Sequence, residues 1–167
     1  MSRERDDPAG YGVMASVPVI DISGWADADP EAREAIAASV DEACRRSGFM
    51  QIVGHGVDDA VERVAAAIDR FFALSMDDKR QTIAPRPSIN RGYTPPRSER
   101  LSHSLGVVSP DDLFEAFNVG SAVSDFPGLD LDPEIYAENI WPDVDDGADF
   151  RRDVETWFAA AGSVARR

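Results

Sequence analysis

Gly48-Phe49-Met50-Gln51-Ile52-Val53-Gly54-His55-Gly56-Val57 is the stretch on which the reading of this chain turns. Phe49 to Val53 is a short apolar run with β-branched residues at its end, the composition of a strand. The glycines on either side of His55 allow a tight reversal, because glycine enters the left-handed region without a Cβ penalty. In such a turn the imidazole can satisfy turn carbonyls and fix the loop. A ligand-facing His55 is the alternative left open here.

Upstream, Val17-Pro18-Val19-Ile20-Asp21-Ile22 reads as another short strand, with Pro18 near its start and Ser23-Gly24 breaking it. Asp29-Pro30 is a helix start: a capping side chain, then proline at the first helical position. Ala32, Ile36, Val40 and Ala43/Cys44 follow at helical spacing, and Gly48 can end the helix. Cys44 is expected as a packed core thiol on that stripe. Downstream, Asp58 or Asp59 can cap a helix whose apolar stripe is Val61, Val64, Ile68, Phe71 and Phe72. Ser75-Met76-Asp77-Asp78 predicts a capped short helix carrying Lys79 and Arg80.

The rest is looser. Four prolines between Ala84 and Pro96 mark a loop, with Gly92-Tyr93-Thr94 as a short extended piece inside it. Leu113 to Val119 alternates weakly and predicts a strand. Asp125 to Asp149 reads as loop, interrupted by Asn139-Ile140-Trp141-Pro142. From Phe150, the residues Val154, Trp157/Phe158 and Ala161 recur at helical spacing to the last residues, so an ending inside a helix is expected. Residues 1–15 read as a disordered leader.

With 167 residues the chain has the size of one ordinary domain. Its net charge is −14, and residues 101–150 carry −12 of it: twelve acids, no Lys or Arg. That segment is expected to be a solvated, loop-rich face. Such an acidic chain is poorly suited to nucleic acid or an anionic membrane. The start lacks the apolar core of a signal peptide, and no run approaches the about 18 apolar residues of a membrane span. A soluble, cytoplasmic protein is the expectation.

Familiar chemical devices are missing. Neither phosphate-binding glycine motif is present, nor Gly-x-Ser-x-Gly. Cys44 is the single cysteine, which excludes an internal disulfide and any cysteine-built zinc site. Asp143, Asp145, Asp146, Gly147 and Asp149 only loosely resemble a calcium loop, and the closing Glu is absent. A mononuclear iron site needs two His and a carboxylate, usually beginning His-x-Asp/Glu. Two positions after His55 stands Val57, and two after His103 stands Leu105. Neither histidine begins that motif, and His103, in a polar loop, is expected to be exposed.

The order of the segments carries more than any one of them. VPVIDIS (17–23), GFMQIVGHGV (48–57), FFAL (71–74), SMDDKR (75–80), NRGYTPP (90–96), LFEAFNVG (113–120) and NIWP (139–142) follow in sequence. This series resembles the N-terminal region of the isopenicillin N synthase-like family of 2-oxoglutarate- and Fe(II)-dependent dioxygenases, over about residues 16–167. The resemblance implies an α+β fold, helices and short strands that pack on and extend a double-stranded β-helix (jelly-roll) core, with the core itself missing. It implies Fe(II) and 2-oxoglutarate as cofactors of the complete enzyme, which oxidises a small organic substrate with O2 and releases succinate and CO2. The family's His-x-Asp…His iron ligands and its Arg-x-Ser lie in that core. No catalytic or metal residue is therefore carried over, His55 matches a structural turn, and the chain by itself is expected to be inactive and to bind no cofactor.

Arg91 and Tyr93 are the candidate site residues. In some family members this segment borders the substrate pocket, where an Arg can pair with a substrate carboxylate. The competing reading packs Tyr93 in the fold and leaves Arg91 on the surface. Two functions follow: the N-terminal portion of a dioxygenase, or a non-catalytic module docking on a separate C-terminal jelly-roll half or another protein. The first is expected to expose the apolar face meant for the jelly roll; the second would use the acidic 101–150 segment as its polar rim.

Overall fold

The computed structural model describes residues 16–98 and 111–167, so the expected leader and His103 lie outside the described residues. The chain divides into two compact units: Met1–Asp58 with Ala161–Arg167, and Asp59–Ala160.

The first unit is built on strand β1 (Val19–Asp21), helix α1 (Pro30–Arg46) and strand β2 (Gln51–Val53). The strands pair in parallel, Val19 opposite Gln51 and Asp21 opposite Val53, which requires a crossover such as α1 between them. Asp29 caps α1 by accepting the Ala32 N–H at 2.9 Å, with Pro30 at the first helical position. Past its end Gly48 takes φ +71°, the left-handed turn expected of it. Ile20, Ile22 and Ala43 form the buried cluster, with Ile36 and Val40 packed on it.

Cys44 departs from expectation, for it is exposed. The inward stripe of α1 runs through Ile36, Val40 and Ala43, and Ala43 is the buried member. The next residue lies about 100° further round the helix and turns outward. β2 is open as well: its Ile52 and Val53 are exposed, and Phe49, two residues before it, is 73% exposed.

The second unit holds helix α2 (Asp58–Phe72) from Asp59 onward, helix α3 (Met76–Arg80), strands β3 (Gly92–Thr94) and β4 (Ala116–Asn118), and most of helix α4 (Gly147–Ala165). On α2 the buried positions are Ala60, Val64, Ala67 and Phe71. Val64 and Phe71 match the expected stripe. Val61 and Ile68 each stand one residue past an inward position and are exposed. Ser75 caps α3 by accepting the Asp78 N–H at 3.1 Å.

β3 and β4 pair antiparallel, Tyr93 opposite Phe117. β4 is shorter than the 113–119 run suggested, and the exposed Leu113 and Phe114 stand before it. Gly92 sits at φ +74°, and a Cβ there would run into the Thr82 carbonyl, so this position requires glycine. Phe71 is the hub of the core: it stacks on Phe150 at 5.0 Å and meets Phe117 edge-on at 4.6 Å. Burying a phenylalanine side chain of this kind contributes roughly 2–3 kcal/mol. Among the described residues no helix is long and apolar enough to cross a membrane.

Candidate functional site

The second unit contains both candidate site residues. Tyr93 is buried, with its ring edge-on to Phe71 at 6.1 Å. Its hydroxyl donates to Glu115 Oε2 at 2.5 Å. The same oxygen accepts from Lys79 Nζ at 3.0 Å, and Lys79, also buried, donates to the Phe72 carbonyl at 3.2 Å. The ammonium lies 5.5 Å from the Tyr93 ring centre, within cation–π range. Burial, then the bond to Glu115, pushes the Tyr93 phenol up to about 12. The Tyr93 hydroxyl, followed by the Lys79 ammonium, holds the Glu115 carboxyl below its ordinary value.

Arg91 is not a free surface cation. Its Nε donates to the Ala137 carbonyl at 3.1 Å and one terminal nitrogen to the Asn90 carbonyl at 2.8 Å. The other terminal nitrogen donates to Ser121 at 2.9 Å and Ile135 at 3.0 Å. Four of the five guanidinium N–H groups thus serve main-chain oxygens. The guanidinium rests on Gly120, where a Cβ would come within 2.7 Å of its central carbon. An open cleft of 430 Å³ borders these residues, walled by Ile83, Pro87, Asn90, Arg91, Tyr93 and Ser98.

His55 belongs to the first unit and serves its turn. Gly54 and Gly56 take φ +66° and +75°, and the Val57 N–H donates to His55 Nδ1 at 3.1 Å. The imidazole thus satisfies an N–H of the turn rather than a carbonyl. Its Nε2 stands 3.9 Å from the exposed Asp58 carboxylate.

A metal centre needs at least three converging donors. Among the described residues no group of three His, Cys, Asp or Glu side chains could hold a metal ion. The described residues do not fit an Fe(II) centre. Lys79 is tied to Glu115, and Arg91 keeps a single uncommitted N–H.

Several residues of this arrangement escape sequence reasoning. Glu115 counts among the acids of a solvated segment, yet its carboxylate turns toward Lys79 and Tyr93. The available signal was an acid within the apolar run Leu113–Val119. Asn139, of the Asn-x-Trp-Pro segment, accepts the Gly120 N–H and donates to the Gly120 carbonyl, both at 2.9 Å. Gly120 itself carried no signal, because its need arises only from Arg91.

With this geometry in hand, known proteins supply the class. Residues 17–144 match the family model described as non-haem dioxygenase in morphine synthesis N-terminal, and the chain belongs to that family. It is 34% identical over 149 residues to the 2-oxoglutarate-dependent dioxygenase citB of Monascus ruber, covering 86% of this chain and 43% of that protein. To isopenicillin N synthase of Streptomyces microflavus it is 28% identical over 151 residues, covering 86% and 42%. A full-length Neurospora crassa protein solved in complex with alpha-KG superposes with a TM-score of 0.69 at 23% identity, over 89% of this chain and 44% of that one. That likeness shows the fold. The chain spans less than half the length of the curated relatives it matches here.

Proposed function

We propose that this chain is the N-terminal portion of a non-haem Fe(II), 2-oxoglutarate-dependent dioxygenase acting on a small organic substrate, and that it is inactive alone. The observation that carries the proposal is the family match across residues 17–144, on a chain that spans 43% of the citB dioxygenase. In this reading a C-terminal jelly-roll portion holds Fe(II) and 2-oxoglutarate and supplies the oxidative chemistry.

The same proposal places Arg91 and Tyr93 beside the substrate pocket of the complete enzyme. There the remaining Arg91 N–H is available to a substrate carboxylate, and Tyr93 backs the cleft wall. Exposed Phe49 in the first unit and exposed Leu113 in the second are each apolar side chains for the C-terminal portion to cover. The alternative, a non-catalytic module docking on a separately made jelly-roll half, draws on the same exposed residues.

Reconstitution tests the proposal. The chain is mixed with a separately produced C-terminal portion taken from a relative, with Fe(II), ascorbate and 2-oxoglutarate supplied. Succinate release that requires both parts is the expected result. Binding of the two parts with no turnover by the complex would favour the docking module instead.

A further inference from the structure

The excursion from Gly120 to Asn139 is held in an unusual way. Ala122 is its single buried residue, while Phe126, Leu129 and Ile135 are exposed. It carries five carboxylates (Asp125, Asp130, Asp132, Glu134 and Glu138) and no Lys or Arg. The apolar part of its closure is the edge-on Phe126–Tyr136 ring pair, 5.9 Å between centroids, while its own charges repel. Polar bonds do the rest. Asn139 pairs with both backbone groups of Gly120, joining the two ends. The Val123 N–H donates to the Tyr136 carbonyl at 2.9 Å, and Ser124 donates to Glu138 at 2.7 Å. Arg91, from outside, spans the joint: Ser121 on one limb, Ile135 and Ala137 on the other. Arg86 adds an ion pair to Glu134 at 2.6 Å.

We infer that residues 120–139 form a strap that opens and closes as one unit, with Gly120 and Asn139 as its feet and the Arg91 guanidinium as its clasp. The strap walls one side of a cleft of 310 Å³, whose other side is the α4 residues Arg151, Val154, Glu155 and Phe158. Opening it widens that cleft while leaving the Phe71 core intact, because no residue of the Phe71 cluster lies on the strap. The assignment does not depend on the enzymatic activity proposed above. It gives the Arg-Gly-Tyr and Asn-x-Trp-Pro segments one shared mechanical task.

Amide hydrogen exchange on the full 167-residue chain tests it, comparing wild type with R91Q, R91K and N139A. In wild type, amides of 120–139 are expected to exchange together and faster than those of 64–71 and 150–154. R91Q and N139A are each expected to speed exchange across the strap by about tenfold or more, leaving the core helices unchanged. R91K, which keeps the charge and loses the fork, is expected to fall between. If R91Q does not fold, N139A and R91K give the same comparison. Unchanged exchange in the strap, or an even rise across 59–160, overturns the inference.

Discussion

Tyr93 donates its hydroxyl to Glu115 at 2.5 Å, across the strand pair that joins residues 92–94 to 116–118. The same carboxylate oxygen holds the buried Lys79 ammonium, so the negative charge of Glu115 binds two donors at once.

Stability therefore depends on pH at both ends. The Glu115 carboxyl is lowered by folding, so its contribution is present above the ordinary Glu value and is lost as pH falls through the lowered one. The Tyr93 phenol is raised from 10.0 to about 12, so its contribution is present below 10 and is lost as pH rises toward 12. Melting temperature against pH is expected to show a plateau with both flanks falling. E115Q is expected to flatten the acid flank, and an unaltered acid flank in E115Q would remove Glu115 from the account.

Removing the two partners of the ion pair is expected to have unequal effects. E115A leaves the buried Lys79 ammonium without a counterion, at a cost of about 3 kcal/mol. K79M leaves Glu115, whose side chain is 30% exposed and regains water, so the loss is nearer about 1 kcal/mol. Urea unfolding of both variants checks the order, and K79M losing as much as E115A contradicts it.

Two glycines with similar backbone angles should respond differently to alanine. Gly48 has φ +71° with open space around it, so G48A pays the left-handed penalty alone, about 1 kcal/mol. Gly92 has φ +74° and the Thr82 carbonyl in the way, so G92A is expected to cost about 3 kcal/mol or more. Chemical denaturation distinguishes them, and equal losses would mean that the 92–118 strand pair yields freely.

Exposed apolar side chains give the isolated chain a measurable surface. Phe49 is 73% and Leu113 76% exposed. The chain is expected to bind an environment-sensitive dye and to self-associate with concentration. F49S and L113S are expected to reduce dye fluorescence at little cost in stability. Cys44, exposed on α1, is expected to react with a thiol reagent in the native state, with C44S neutral within about 0.5 kcal/mol.

Local rules made much of the fold readable. Asp29-Pro30 and Ser75 mark helix starts because a cap depends on neighbours three residues away. The left-handed glycines at 48, 54 and 56 are equally local. Whether Ala43 or Cys44 faces inward depends on where the strands lie, and periodicity does not separate adjacent positions. Arg91 was visible as a motif residue, while its partners Ile135 and Ala137 stand 44 and 46 positions away and exist only once the chain closes. Glu115 was hidden by its company, since a count of acids does not show which one turns inward.

The proposed function leaves Fe(II) to a C-terminal portion and none to this chain. Anaerobic titration of the purified 167-residue chain with Fe(II), with and without 2-oxoglutarate, tests it most directly. The account predicts no one-to-one binding step and no succinate on admitting air. Stoichiometric Fe(II) binding accompanied by 2-oxoglutarate turnover would contradict it.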